Sequence, residues 1–480
     1  MLSSRVLVVV FDALRPEFVT PELMPNLSAF AERGARYLNA RSTFPTETRV
    51  NQSAVTTGCM PWRHGIVGNK FVADDLQPGL LVNSGDDRML EAAFAAGPVL
   101  AMPNIGQRLT QAGRRYAALS AGTPGGGRLI NWSAVQDGTF RLAMRRPEAC
   151  NPAGAFDRIA DRIGPLPEYD LPATDWITWA VSAYLDYIEA DLKPDAMLLW
   201  LCEPDETFHW KSIGGPEAHV TMAHADAEFG RILNHLSPKI EAGDMHIITL
   251  SDHGQISLTG EPLHLTAQMR GAGFSVMDKD DPEGEAILGL ASAGGIWLPD
   301  APPSRVAELV EWLRAQPWCG PLFTRDGVAG TLRSECLRLN HARAPDVSLV
   351  FRSDDTPNAH GVIGTTVHDA PYPEGGGCHG GLHAKELHTF LALGGTAFQT
   401  TDITVPGGNI DILPTVMHLM GLPAPDGLDG RVLSEAMEGG PDTPPAQEQI
   451  LTSANPVGPR THLSVTDIGT TRYLNRAWTK

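Results

Sequence analysis

The chain has 480 residues, 42% of them hydrophobic, which is long and apolar enough for one large α/β core with insertions and excludes wholesale disorder. Acidic residues outnumber basic ones, 56 to 37, for a net charge of −19. A chain this acidic is a poor binder of polymeric nucleic acid or anionic membranes, although metal ions or local arginines can reverse the sign of the potential inside a site for a small anion.

The first apolar run is Val6–Phe11. It is unbroken and β-branched, far too short to span a bilayer, and reads as a strand covered on both faces in a parallel sheet. No charged segment and no small-residue cleavage site accompany it, so a cytoplasmic location is expected. Glycine and proline mark loops at Gly122–Gly127, Glu374–Gly381 and Gly439–Pro445. Ile177, Ala180, Val181, Tyr184, Leu185 and Ile188 repeat at helical spacing. Ala196–Cys202 and His246–Leu250 are further buried strands. The stretch 265–370 carries its own strand-like runs, Gly295–Leu298 and Val347–Phe351. It also holds a helix after Ser304 with Val306, Leu309, Val310 and Leu313 on one face, and it reads as an inserted smaller α+β subdomain. A helix near Ile410–Met420 stops at Gly421, a C-terminal capping glycine. The expectation is a doubly wound, mostly parallel α/β sheet flanked by helices. Its catalytic core is 1–264 with 371–440, its cap 265–370, and its C-terminal extension, of low periodicity, 441–480. The six cysteines form no C-x-x-C pair and are read as reduced thiols.

Sites in open α/β sheets form at the C-terminal ends of strands. Asp12 follows the first strand here, Asp205 and His209 the second, and Asp252 with His253 the third. Taken singly, each is weak, since an Asp after a strand is usually a turn or capping residue. Five such residues at equivalent positions in one sheet point to a metal centre. Mixed carboxylate and imidazole ligands suit zinc, and manganese or iron less selectively. Pro45-Thr46-Glu47-Thr48-Arg49-Val50-Asn51 precedes a helix that is expected to start near Thr48. A hydroxyl there faces the positive end of the helix, but local context alone reads it as a cap.

The segment Thr43-Phe44-Pro45-Thr46-x-Thr48, then Thr57-Gly58, then Pro61-x-x-His64-Gly65-Ile66-Val67-x-Asn69, resembles the nucleotide pyrophosphatase/phosphodiesterase branch of the alkaline phosphatase superfamily. Phosphonoacetate hydrolases share this frame. The resemblance runs through the strand-terminal acids to Gly394-Gly395 and Asp411-Ile412-Leu413-Pro414-Thr415. It implies two divalent metal ions. Asp12, Thr48, Asp252 and His253 match the ligands of one. Asp205, His209 and a late histidine match the other, with His379 first and His383 as runner-up. It implies Thr48 as a nucleophile that becomes a phospho-threonine, and Asn69 as the holder of a phosphoryl oxygen. Cys59-Met60-Pro61-Trp62-Arg63 spells the C-x-P-x-R signature of sulfatases. Cys59 nevertheless follows the Thr-Gly element, whereas Thr48 stands nine residues before Thr57, so Thr48 takes the nucleophile's place.

The sequence departs from the pattern at Arg49, where nucleotide-cleaving relatives carry Phe, and at Val50-Asn51-Gln52 in place of Pro-Asn-His. An arginine beside the phosphoryl site fits a second anionic group, either a terminal phosphate oxygen or a carboxylate. The leading expectation is a phosphodiesterase or pyrophosphatase. The alternative on the same machinery is a phosphomonoesterase or phosphonate hydrolase, and a catalytically dead binding protein is the reading from another class. The expected partner is a small phosphorylated molecule, with no nucleic-acid polymer and no membrane, and a homodimer stays open. Specificity contacts are expected from the 265–370 insert and the Gly122–Asn131 loop.

Overall fold

The computed structural model describes residues 4–77, 79–454 and 458–480. Eight strands make the central sheet: β1 (Arg5–Phe11), β2 (Ala35–Tyr37), β3 (Tyr116–Ser120), β4 (Phe140–Ala143), β5 (Ala196–Leu201), β6 (Met245–Leu250), β7 (Leu391–Gly394) and β8 (Thr401–Ile403). Their spatial order is β8-β2-β7-β6-β1-β5-β3-β4. The five from β6 to β4 run parallel. β7 is antiparallel to both of its neighbours, so the sheet is mixed, with a parallel majority.

The unbroken apolar run of β1 follows from burial on two sides. Leu7, Val9 and Phe11 enter one core, and Val6, Val8 and Val10 enter the other. Each such side chain contributes about 1.5–3 kcal/mol on burial. Helices cover both faces: α1 (Thr48–Thr57), α2 (Thr174–Ala183), α3 (Asp205–Lys211), α4 (Pro216–Glu241) and α5 (Ile412–Leu419). Phe229 of α4 meets Phe11 edge-on at 5.8 Å, while Val55 of α1 and Val416 of α5 pack into the opposite core. The helix expected through Ile188 continues beyond α2 as a wider π-helical stretch, Tyr184–Leu192. Gly421, at φ 69°, follows the end of α5 as expected.

One expected loop is a helix. Gly122–Gly127 runs into Pro124–Leu129, started by Pro124 and capped by Thr123, whose hydroxyl accepts from the Gly126 N–H at 3.3 Å. The glycines permit close approach: a Cβ on Gly125 would stand 2.0 Å from the Ser84 carbonyl oxygen.

Within 265–370, five strands (Ile287–Leu290, Ala293–Trp297, Val347–Phe351, Cys319–Thr324 and Leu332–Arg333, in spatial order) and the helix Pro303–Arg314 surround a separate apolar core containing Leu309, Leu313 and Leu349. The stretch after 440 carries an antiparallel meander, Gln447–Thr452, Thr461–Ile468 and Thr471–Thr479. Its Leu463, Val465 and Leu474 are buried with Phe44 and Phe323. A bulge between Ser464 and Val465 breaks the strand alternation. A small sheet pairs Ile256–Leu258, just after β6, with Gly377–Cys378, which brings the segment after the insert back to the end of the main sheet. Among the described residues, no helix is long and apolar enough to cross a membrane.

Candidate active site

β6, β1 and β5 are neighbours and parallel, so their C-terminal ends meet. The residues that follow them converge for that reason. Asp205 opens α3, and His209 stands one turn on, with its Nε2 3.4 Å from the Asp205 carboxylate. His253 Nε2 lies 3.5 Å from Asp12 Oδ1 and 3.2 Å from Asp252 Oδ2. His379 Nε2 lies 3.5 Å from Asp205 Oδ1, and its ring stacks on that of His253 with centroids 3.9 Å apart. Ligand atoms of Asp12, Asp252 and His253 lie within 4.8 Å of one another, and so do those of Asp205, His253 and His379. The runner-up His383 is elsewhere: it caps the helix Ala384–Leu387 and pairs with Asp355 at 3.2 Å.

The three clustered imidazoles are oriented from behind. Nδ1 of His209 is 2.7 Å from the Gly377 carbonyl, that of His379 is 2.7 Å from the Thr46 carbonyl, and that of His253 is 3.2 Å from the Gly254 carbonyl. A carbonyl only accepts, so each Nδ1 carries the proton and each Nε2 lone pair faces the cluster.

Thr48 is the first residue of α1, and its Oγ1 lies 3.1 Å from His253 Nε2. The Arg49 N–H donates to the Asn69 side-chain oxygen at 3.3 Å. The Asn69 N–H in turn donates to the Glu47 carboxylate. Thr46 Oγ1 accepts from the Gly380 N–H and donates to the Gly381 carbonyl, both at 2.9 Å, tying the segment before Thr48 to the loop that carries His379. Cys59 is at the far end of α1, about 15 Å along the axis. It is fully buried, and burial pushes its thiol up to about 12.

The electrostatics are those of a cation hole. Burial, with the charges of Asp252 and Asp205, pushes the Asp12 carboxyl well above its usual range. Burial lifts Asp252 to about 7. Burial opposes ionisation of Asp205 too, but His209, His379 and His253 hold it well below the usual range. Burial pushes His379 down to about 4 and His253 well down, which keeps both neutral. Asp12 Oδ2 accepts from Trp200 Nε1–H at 2.9 Å and Asp252 Oδ1 from the Ala13 N–H at 3.1 Å, whereas Asp12 Oδ1 and Asp252 Oδ2 have no partner. A buried oxygen left so costs about 1–3 kcal/mol, and more when charged. Both orphan atoms face His253 Nε2, so the residues fit divalent cations.

Several supporting residues lie outside the sequence motifs. Gln255 donates to the Asp205 carboxylate, and Asn409 bridges the Asp252 carbonyl, at 2.5 Å, and Asn51. Tyr372 stacks on His209 with centroids 4.0 Å apart. Gln255 was within reach, as the next polar residue after Asp252-His253. Tyr372 arrives from the segment after the insert, which no local pattern reveals.

The family model described as type I phosphodiesterase / nucleotide pyrophosphatase matches residues 6–354, and the chain belongs to that family. Venom phosphodiesterase 2 of Crotalus adamanteus is 23% identical over 248 residues, 51% of this chain and 26% of that protein. An uncharacterized pyrophosphatase/phosphodiesterase of Schizosaccharomyces pombe is 34% identical over 53% of this chain and 45% of its own length. These matches span about a quarter to a half of each relative. Among solved structures, murine ectonucleotide pyrophosphatase / phosphodiesterase 5, an inactive variant in complex with AMP, superposes with a TM-score of 0.60 at 18% identity, covering 88% of this chain and 96% of that one. The fold is thus the alkaline-phosphatase-like α/β fold.

Proposed function

We propose that the chain is a metal-dependent hydrolase of phosphodiester or pyrophosphate bonds in small phosphorylated molecules, with Thr48 as nucleophile. The observation that carries this reading is the Thr48 hydroxyl at a helix N-terminus, 3.1 Å from His253 Nε2 and beside the orphan oxygens of Asp12 and Asp252. Family membership supports it, as does the AMP bound by the murine neighbour.

Asp12, Thr48, Asp252 and His253 would hold one divalent ion, and Asp205, His209 and His379 a second, with zinc the best match to the donor set. Such ions, when bound, lower the pKa of a coordinated hydroxyl and neutralise charge on phosphoryl oxygens. Thr48 Oγ1 attacks the phosphorus in line, the bond to the leaving oxygen breaks, and the resulting phospho-threonine is released by water. The Arg49 N–H, at the positive end of α1, and the Asn69 carboxamide, turned to offer Nδ2, hold a non-bridging oxygen. Thr46 and Glu47 keep His379 and Asn69 in register with the nucleophile.

The test is to assay bis(p-nitrophenyl) phosphate, p-nitrophenyl phosphate and phosphonoacetate side by side on zinc-loaded protein. The diester is expected to turn over fastest. A monoester rate above the diester rate, or metal analysis finding less than about one ion per chain, would sink the reading.

A further inference from the structure

Each of the three clustered carboxylates has one oxygen held by an N–H group, and the three holders differ. Asp12 Oδ2 is held by Trp200 Nε1–H, and Asp252 Oδ1 by the Ala13 backbone N–H. Asp205 Oδ1 is held by the side-chain amide of Gln255, a fully buried residue. The same Nε2 donates to the Asp205 main-chain carbonyl at 3.2 Å. A carbonyl only accepts, so the amide stands with its nitrogen toward Asp205. Its Oε1 is buried and has no hydrogen-bond partner. Gln255 is fixed from two further sides. Its own carbonyl accepts from Nη1 of Arg15, a buried arginine on the segment that follows β1, at 3.0 Å. Gly377, whose carbonyl is 2.7 Å from His209 Nδ1, lies against the amide oxygen: a Cβ there would stand 2.1 Å from Oε1.

With Oδ1 held, the Asp205 carboxylate presents one oxygen to each imidazole of its group. Oδ1 lies 3.5 Å from His379 Nε2, and Oδ2 lies 3.4 Å from His209 Nε2. The terminal torsion of an aspartate is soft, so nothing in the side chain itself keeps that plane. Hydrogen bonds that orient a metal ligand carry about 10- to 100-fold in metal affinity. We infer that Gln255 is the positioning residue of the Asp205–His209–His379 group and sets how tightly that group holds its ion, without affecting the ion at Asp12, Asp252 and His253. This rests on the two-ion reading above and divides it. The ion beside Thr48 is held by carboxylates braced from a sheet residue and from the backbone, whereas its companion depends on one amide side chain. An amide that leaves its own oxygen unsatisfied while donating twice to one aspartate is accounted for by what that aspartate does.

The experiment follows zinc uptake by the full chain in competition with a graded series of chelators, a readout that needs no turnover. Wild type is expected to show two binding steps. Gln255→Met, of similar length but with no donor, should weaken one step by about 10- to 100-fold and leave the other unchanged. Gln255→Leu, smaller and equally without a donor, should do the same. Adding Gln255→Met to His379→Ala, in which the second group is already broken, should cost nothing further. Adding it to Asp12→Ala should weaken the step that remains. Melting of the metal-free protein should be little changed by either Gln255 substitution. Equal weakening of both steps, or two steps within about 2-fold of wild type, would overturn the inference. So would early melting of the metal-free variants, which would make Gln255 a structural residue. Two zinc steps in wild type with no turnover on any ester would count against the hydrolase reading alone. A single step with turnover intact would count against this inference alone.

Discussion

Two buried polar clusters in this molecule are finished differently. Around Asp411, every charge is met from within the chain. Asp411 accepts from the Gly408 and Arg431 N–H groups and from the Tyr473 hydroxyl, each at 2.8 Å. The Arg431 guanidinium forks onto Glu435 at 2.8 and 2.6 Å and also donates to Tyr473 and the Pro406 carbonyl, while Tyr37 donates to Glu435 at 2.8 Å. Around Asp12 the acids crowd one another, burial disfavours protonation of His253 and His379, and two carboxylate oxygens are orphaned. Burial is equal; completion is not. A buried network satisfied by its own residues holds segments together, whereas one left short of positive charge is shaped for something the chain does not encode.

The largest effect expected on this contrast is Thr48→Ala. Turnover should fall by about 10,000-fold with metal content retained, and surviving activity would break the assignment of the unfinished cluster to catalysis. Next is Arg431→Ala, which strands Glu435 and should cost about 3–5 kcal/mol in denaturant unfolding, with kcat/KM per folded molecule little changed. A large kinetic defect without loss of stability would reverse the roles given to the two clusters. Asp252→Asn should act oppositely with and without metal. Burial raises the folded pKa of Asp252 from 3.8 to about 7, so its contribution is present at low pH and is lost as pH rises through the folded value. The metal-free variant should therefore gain on metal-free wild type between about pH 4 and about pH 8, reaching about 4 kcal/mol, and should lose that lead once zinc is added. Unfolding curves that stay parallel across this range would show that the acids do not strain the apo fold. The smallest effect is Asn69→Ala, about 100-fold in kcat with melting temperature nearly unchanged.

Much of the site was legible because the candidate ligands stand at the ends of strands with plain apolar signatures. Val6–Phe11, the Ala196 strand and the His246 strand announced Asp12, Asp205 and Asp252 before any contact was known. The partners that orient them were not legible. Trp200 reads as an ordinary strand residue, and its hydrogen bond to Asp12 depends on the register of β1 against β5. The resemblance ranks His379 ahead of His383, but what carries His379 to the site, the pairing of Gly377–Cys378 with Ile256–Leu258, is a long-range contact with no local pattern. The helix at Pro124–Leu129 was hidden because three glycines, read as loop markers, serve close packing there instead. The meander after 440 is hard to read because its strands are rich in polar residues and a bulge interrupts their alternation.

The return of the chain after the insert also sets an order of events during synthesis. Asp12, Thr48, Asp252 and His253 have all emerged before the insert begins, whereas His379 and Asn409 follow it. A nascent chain paused within 265–370 holds Asp12, Thr48, Asp252 and His253, the residues proposed for one ion, and lacks His379, proposed for the other. Chemistry that needs both groups thus waits until the insert has been made and passed, which postpones reactivity to a late stage of translation.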